Sequence, residues 1–160
     1  MEWIDLIRWL HVLGACVLLG TGAGIAFFML MAHRSGDTKF IMQTANTVIV
    51  ADTLFTASAA IIQPITGFML ARALGWDLGE GWVALSLLLY VVTGVFWLPV
   101  VWIQIQLRDL ARVAVQADAT LSKRYHTLFR IWFACGFPAF FCVMSIVWLM
   151  LMRPDLGTWF

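Results

Sequence analysis

Residues 9–32 have the sequence WLHVLGACVLLGTGAGIAFFMLMA, and this stretch decides the fold. Its 24 residues include one basic side chain, His11, and no acidic side chain. About 20 apolar residues, each rising about 1.5 Å, cross the hydrocarbon core of a bilayer, so the stretch predicts a transmembrane helix. An ionisable group inside such a helix is costly to bury and marks a candidate functional site. His11 is therefore the first residue that needs an explanation.

The composition of the whole chain is that of a membrane protein. Charged residues make up 12% of it, whereas soluble domains carry about 25%. A formal net charge of +1 gives no electrostatic support for nucleic-acid binding. The residues before the first stretch include Glu2, Asp5 and Arg8, which do not form the basic start of a signal peptide, so we expect this stretch to remain as a span. The three cysteines lack metal-ligand spacing and are expected to be small core residues.

Three more apolar stretches follow, and they are Val48–Ala71, Trp82–Leu107 and Ile131–Met152. We predict an all-α integral membrane four-helix bundle that forms a single domain over residues 1–160, with spans at about 5–33, 45–73, 82–112 and 124–152. The expected connections are His33–Thr47, Leu74–Gly81 and Arg108–Arg130. Proline occurs inside three of the spans, which a membrane helix tolerates when neighbouring groups satisfy the freed carbonyl: Pro64, Pro99 and Pro138.

The distribution of basic residues predicts the orientation of the bundle. The first and third connections, with the adjoining helix ends, hold seven of the ten lysines and arginines: Arg34, Lys39, Arg108, Arg112, Lys123, Arg124 and Arg130. The opposite side holds Arg8, Arg72 and Arg153. The positive-inside rule therefore places both termini on the periplasmic side of a bacterial inner (cytoplasmic) membrane, in a multi-pass protein.

Two of the predicted spans carry polar residues along one face. In the first span, Arg8 and His11 lie broadly on one face, above a glycine-rich segment that fits either close helix packing or a flat guest. In the second span, polar and small residues are spaced by four, three, four and three positions: Asp52, Thr56, Ala59, Gln63 and Thr66. This face predicts either a hydrogen-bond network that holds the helices in register or a functional site.

Asp52 is the acidic residue of these faces. From the span bounds it lies about 11 Å inward of the middle of its span. A lone carboxylate at that depth either pairs with a cation or takes up a proton. The candidate partners at the inner ends of the helices are Arg130, His126 and His33, and together with Asp52 they predict a proton or polar network.

Depth along the spans also predicts which polar groups meet. His11 lies about 14 Å outward of the middle of its span. An outer polar layer is expected at or somewhat below that depth: Gln63, Thr66, Ser86, Tyr90, Ser145 and Trp148. His33 and His126 lie near the inner ends of the first and fourth spans, where they either meet or extend separately to the interface.

A histidine inside a membrane helix bundle suits haem binding. Neutral imidazole ligates haem iron, and an arginine one turn away pairs with a propionate. We therefore predict haem b as cofactor, with His11 as the metal ligand, Arg8 as the propionate partner, and a lining of Gln63, Thr66 and Tyr90. Since no histidine lies at the same depth as His11, three alternatives remain open: a five-coordinate haem, a sixth ligand such as Met144, or no haem.

Other functions are weighed against this one. The sequence has no HExxH, CxxC, GxSxG or P-loop motif, and the connections are too short for a soluble catalytic domain, so enzymatic activity stays an open question. One alternative is a non-enzymatic accessory or assembly subunit of a larger membrane complex. Another is a small-solute or proton-coupled carrier that uses Asp52 and works as a homodimer. In every case the lipid bilayer is the first partner.

Three segments carry a resemblance to a known family. They are WLHVLGACVLLGTGAGIAFF at residues 9–28, ADTLFTASAAIIQPITGFML at 51–70 and LLLYVVTGVFWLPVVWIQIQLRDLA at 87–111. The chain resembles the bacterial "predicted integral membrane protein" family of unknown function over nearly its whole length, which implies the fold. More distantly, the first span with its early histidine is similar to HemJ-type protoporphyrinogen oxidases and CopD-type membrane proteins. That distant resemblance implies a haem-associated or metal-associated bundle with His11 as ligand.

Overall fold

The structure is a computed structural model that describes residues 2–159. Its helices are α1 (Trp3–Ser35), α2 (Thr38–Ala51), a π-helical turn (Asp52–Thr56), α3 (Ala57–Leu74), α4 (Gly81–Gln116) and α5 (Lys123–Met152). The π-helical turn joins α2 to α3, so Thr38–Leu74 forms one continuous rod. In the described part of the chain, four helical rods are long and apolar enough to cross a membrane. The prediction of an all-α bundle with four spans is confirmed.

The second rod begins earlier than the sequence suggested. Gly36 adopts a left-handed conformation with φ of 71°, which ends α1 and reverses the chain. The Asp37 carboxylate then accepts hydrogen bonds from the backbone N–H groups of Lys39 at 2.8 Å and Phe40 at 3.1 Å. This N-cap satisfies amides that would otherwise lack partners and starts α2 at once. Most of the expected connection His33–Thr47 is therefore helix.

The same correction places Asp52 nearer the middle of its rod. The rod Thr38–Leu74 has 37 residues, and its midpoint is Thr56. Asp52 consequently lies about 6 Å from the midpoint of the rod rather than about 11 Å. The cost of burying its charge is highest in this central region of the bilayer.

The tightest packing lies at the end of the bundle away from the termini, where α1, α2, α4 and α5 meet. Seven residues there are completely shielded: Met29, Ala32, Ile41, Ala45, Leu107, Ala111 and Tyr125. Alanines at Ala32 and Ala45 let the helices approach closely, as small residues do in membrane bundles. Dense contacts therefore fix this end of the bundle.

The other end, which carries both termini, is built from two helix pairs. There α1 packs against α3, and α4 packs against α5. A smaller apolar cluster joins Trp82 and Val83 of α4 to Leu149 of α5. The outside of the bundle is covered by exposed apolar side chains, which suits contact with acyl chains: Ile61, Val91, Leu98, Phe141 and Leu151.

The segment after α5 folds back onto the start of α4. The backbone N–H of Gly81 donates to the Gly157 carbonyl at 2.7 Å, and the N–H of Trp159 donates to the Gly79 carbonyl at 2.8 Å. The Arg153 guanidinium lies 4.4 Å from the ring centroid of Trp76. A Cβ atom on Gly81 would lie 2.6 Å from the Leu156 Cβ, so only glycine allows this close approach.

Candidate functional site

His11 and Thr66 form a direct hydrogen bond between α1 and α3. The distance from His11 Nδ1 to Thr66 Oγ1 is 2.8 Å. The Thr66 side chain is buried and that of His11 is half-buried. Depth along the two spans predicted a polar layer containing both residues, and the structure brings these two together.

The surroundings of Thr66 indicate the protonation of the imidazole. The Thr66 hydroxyl has backbone acceptors on its own helix, the Ile62 carbonyl at 2.9 Å and the Gln63 carbonyl at 3.2 Å. Its single proton is then used within α3, and its oxygen accepts from His11 Nδ1–H. This assignment leaves Nε2 of the neutral ring as the nitrogen with a free lone pair. The Gln63 backbone carbonyl also lies within hydrogen-bonding reach of the imidazole.

Glycines allow the close contact of α1 with α3 at this level. A Cβ atom on Gly67 would lie 3.2 Å from His11 Cε1, and a Cβ atom on Gly14 would lie 3.4 Å from Gln63 Cδ. The imidazole and the Gln63 amide thus occupy space that a larger residue would fill. Gln63 is buried, and its Oε1 has no hydrogen-bond partner in the described part of the chain.

Two further residues predicted for the haem site, Tyr90 and Arg8, lie near this layer but form no hydrogen bond with His11. The Tyr90 hydroxyl donates to the Ala60 carbonyl and thereby links α4 to α3. Arg8 lies one turn from His11 toward the N-terminus, and its Nη1 is 3.4 Å from Asp5 Oδ1. Both side chains of that pair are about half exposed, so the guanidinium remains available to a second anion.

Asp52 occupies a second polar position, in the π-helical turn. Its side chain is only 4% exposed, and its Oδ1 accepts a hydrogen bond from the Trp97 indole Nε1 at 3.2 Å. Its Oδ2 and the Thr56 hydroxyl are both buried and have no hydrogen-bond partner among residues 2–159. Neither Arg130 nor His126 pairs with Asp52, and both are exposed on α5. The sequence reasoning sought a cation for Asp52 and missed Trp97.

The structure brings His33 and His126 together at the end away from the termini. Their ring centroids are 5.7 Å apart, and His33 also stacks on Phe129 at 3.7 Å between centroids. A surface pocket of about 340 Å³ opens beside them and is lined also by Thr38 and Leu121. The described residues contain no cluster of three or more histidine, cysteine or acidic side chains arranged to hold a metal ion.

These features define a four-span helical membrane protein with polar groups buried at two depths. The chain belongs to the predicted integral membrane protein family DUF2269, whose model matches residues 5–154. No curated protein and no solved structure matches the chain.

Proposed function

We propose that the protein binds haem b through His11 and has a role in redox chemistry or in a haem pathway. The observation that carries the proposal is the 2.8 Å hydrogen bond between His11 Nδ1 and Thr66 Oγ1. Histidines that ligate metals commonly donate their other ring N–H to a fixed acceptor, which sets the tautomer and the ring orientation. Thr66 supplies such an acceptor inside the membrane.

The chemistry of His11 suits an axial ligand to haem iron. Its Nε2 is the free base nitrogen of a neutral imidazole, which is the form that ligates haem iron. Haem needs only one protein ligand in a five-coordinate state, which agrees with a single histidine at this depth. The half-buried position of His11 leaves the ring reachable from the membrane side.

The neighbours of His11 suit the rest of the cofactor. Arg8 lies one turn nearer the membrane surface, where a propionate would extend, and its exposed pair with Asp5 is weak enough to exchange. Gln63 and Tyr90 supply polar groups, and Gly67 keeps space beside the ring. When bound, haem would supply one-electron chemistry or be handled as cargo.

Absorption spectroscopy tests the proposal directly. Protein purified in detergent from haem-replete cells is expected to show a Soret band that disappears in His11→Ala. Free imidazole is expected to restore the band in His11→Gly, because the added base can occupy the same position. The matched control is His126→Ala, which removes an exposed histidine at the opposite end and should leave the spectrum unchanged. Wild-type protein that is colourless, and stays so when haem is added, would overturn the proposal.

A further inference from the structure

We propose that Asp52 Oδ2 and Thr56 Oγ1 form a binding site for one monovalent positive charge, a proton or an alkali-metal cation. Both side chains are buried, with exposures of 4% for Asp52 and 7% for Thr56, and neither atom makes a hydrogen bond of ordinary geometry, although the Thr56 hydroxyl lies close enough to interact with the Asp52 carboxyl group. The residues lie about one turn apart in the π-helical turn. This site is about 21 Å from Thr66 along the rod and does not depend on haem binding.

The carboxylate needs compensation that its protein neighbours do not provide. An ionised carboxyl group in the hydrocarbon region loses its hydration, and only strong partners offset that loss. Asp52 receives one N–H donor, the Trp97 indole, and that donor occupies Oδ1. Oδ2 therefore carries either an uncompensated negative charge or a bound positive charge, such as a proton.

No cationic side chain is close enough to neutralise Asp52. The His11–Thr66 contact fixes the antiparallel register of α1 against α3, which places Asp52 opposite the buried Ile25 of α1. On the helices around the turn, every other ionisable group is separated from Asp52 by at least about 10 Å along the helix axis. The nearest such groups are Cys16 and His33 on α1, Lys39 on α2, and Tyr90 and Arg108 on α4. The salt bridges within residues 2–159 also leave Asp52 out.

The chemistry of the site selects a single positive charge. One carboxylate cancels one unit of charge, whereas a divalent ion would leave a net charge in the low-dielectric interior. Both ligand atoms, Asp52 Oδ2 and Thr56 Oγ1, are oxygens, which suit a proton or a hard cation rather than a soft metal. The π-helical turn itself is a rare conformation that occurs frequently at functional sites, and here it carries both donors.

Two measurements on the purified full-length protein separate the proton from the metal cation. A bound proton predicts an infrared band of a protonated carboxylic acid at neutral pH that shifts in D₂O and disappears in Asp52→Asn. A bound alkali-metal cation predicts a melting temperature that rises with added Na⁺ or K⁺ but not with choline. That rise should be lost in Asp52→Asn and reduced in Thr56→Val.

The matched control lies in the same turn. Thr53 is exposed and its hydroxyl donates to the Ile49 carbonyl at 2.8 Å, so Thr53→Val should leave both signals unchanged. If Asp52→Asn does not fold, Thr56→Val and Trp97→Phe still test the assignment, because each should shift the carboxylic-acid band or weaken the response to cations. Wild-type protein with neither the band nor a cation-dependent melting temperature would overturn the proposal, since Asp52 would then be ionised and unoccupied.

Discussion

His11 Nδ1 and the hydroxyl oxygen of Thr66 lie 2.8 Å apart in a hydrogen bond that joins the first and second rods of the bundle. At this level the two rods approach closely across Gly14 and Gly67. The hydrogen bond therefore contributes both orientation and stability there.

Replacing Thr66 with valine removes the acceptor while keeping the shape of the side chain. A half-buried imidazole N–H then lacks a partner, and we expect the free energy of unfolding to fall by about 1 to 2 kcal/mol. Equilibrium unfolding in mixed micelles measures the change. Thr66→Ser keeps the hydroxyl and should retain most of the stability. Equal stability of Thr66→Val and wild type would show that the hydrogen bond contributes little.

Adding a methyl group at Gly67 tests the space beside the imidazole. The new Cβ would lie 3.2 Å from His11 Cε1, which requires the ring or the helix to move by a few tenths of an ångström. We expect Gly67→Ala to weaken haem retention relative to wild type, and Gly67→Val to abolish it. Gly22→Ala, in α1, adds a methyl group to open space and serves as the control. Unchanged haem retention in Gly67→Val would contradict the placement of the ligand.

Substitution by alanine is expected to have opposite effects at two glycines of α4, Gly81 and Gly94. A Cβ atom on Gly81 would lie 2.8 Å from the carbonyl oxygens of Leu156 and Gly157, so Gly81→Ala should release the segment after α5. Gly94 faces open space, and Gly94→Ala should leave the segment in place and stabilise α4 by up to about 1 kcal/mol. Limited proteolysis of the C-terminal segment reports the difference. Similar cleavage of both variants would argue against the packing of this segment.

The Asp37 N-cap is expected to stabilise the helical hairpin that α1 forms with the second rod. Asp37→Ala removes the acceptor of the Lys39 and Phe40 amides and should lower the free energy of unfolding by about 1 kcal/mol. Asp37→Asn keeps a capping oxygen and should cost much less. The comparison is made by thermal or denaturant unfolding of the two variants in the same detergent. An equal loss in Asp37→Asn and Asp37→Ala would point to the charge of Asp37 rather than to its capping oxygen.

The orientation of the bundle remains a prediction that a fusion experiment can test. Seven of the ten basic residues lie on the side opposite the termini, so a reporter attached after Phe160 should be active on the periplasmic side of a bacterial inner membrane. Substituting Arg34 and Lys39 with glutamine reduces the asymmetry and should produce a mixed orientation. Activity of the reporter on the cytoplasmic side alone would reverse the assignment.

Sequence reasoning predicted what depends on hydropathy and period. Long apolar stretches predicted the four rods, and the four–three spacing of polar residues predicted that Asp52, Gln63 and Thr66 turn away from lipid; all three side chains are buried. Depth along the spans placed His11 and Thr66 in the same layer before their contact was known. These features follow from the thickness of the bilayer and the rise of a helix, and both quantities are general.

Sequence reasoning missed features that depend on individual contacts. Asp37 carried a capping signal that could have placed the start of α2 at Thr38, but the polar residues after it suggested a connection instead. Trp97 as partner of Asp52 depends on the rotation of α4 against the second rod, which no single-sequence pattern specifies. The fold of the segment after α5 onto Gly81 is likewise a long-range backbone contact without a local signal.

The π-helical turn sets the angular phase between the two halves of the second rod. Such a turn holds one residue more than an α-helical turn, so the half that follows it is offset by about 100° from an uninterrupted α-helix. Deleting one exposed residue of the turn, such as Leu54, would allow regular α-helical winding and would keep Thr66 facing His11, because the π-helical turn already absorbs the additional residue. The additional residue therefore changes the rod locally, around Asp52 and Thr56, and leaves the contact between His11 and Thr66 in place.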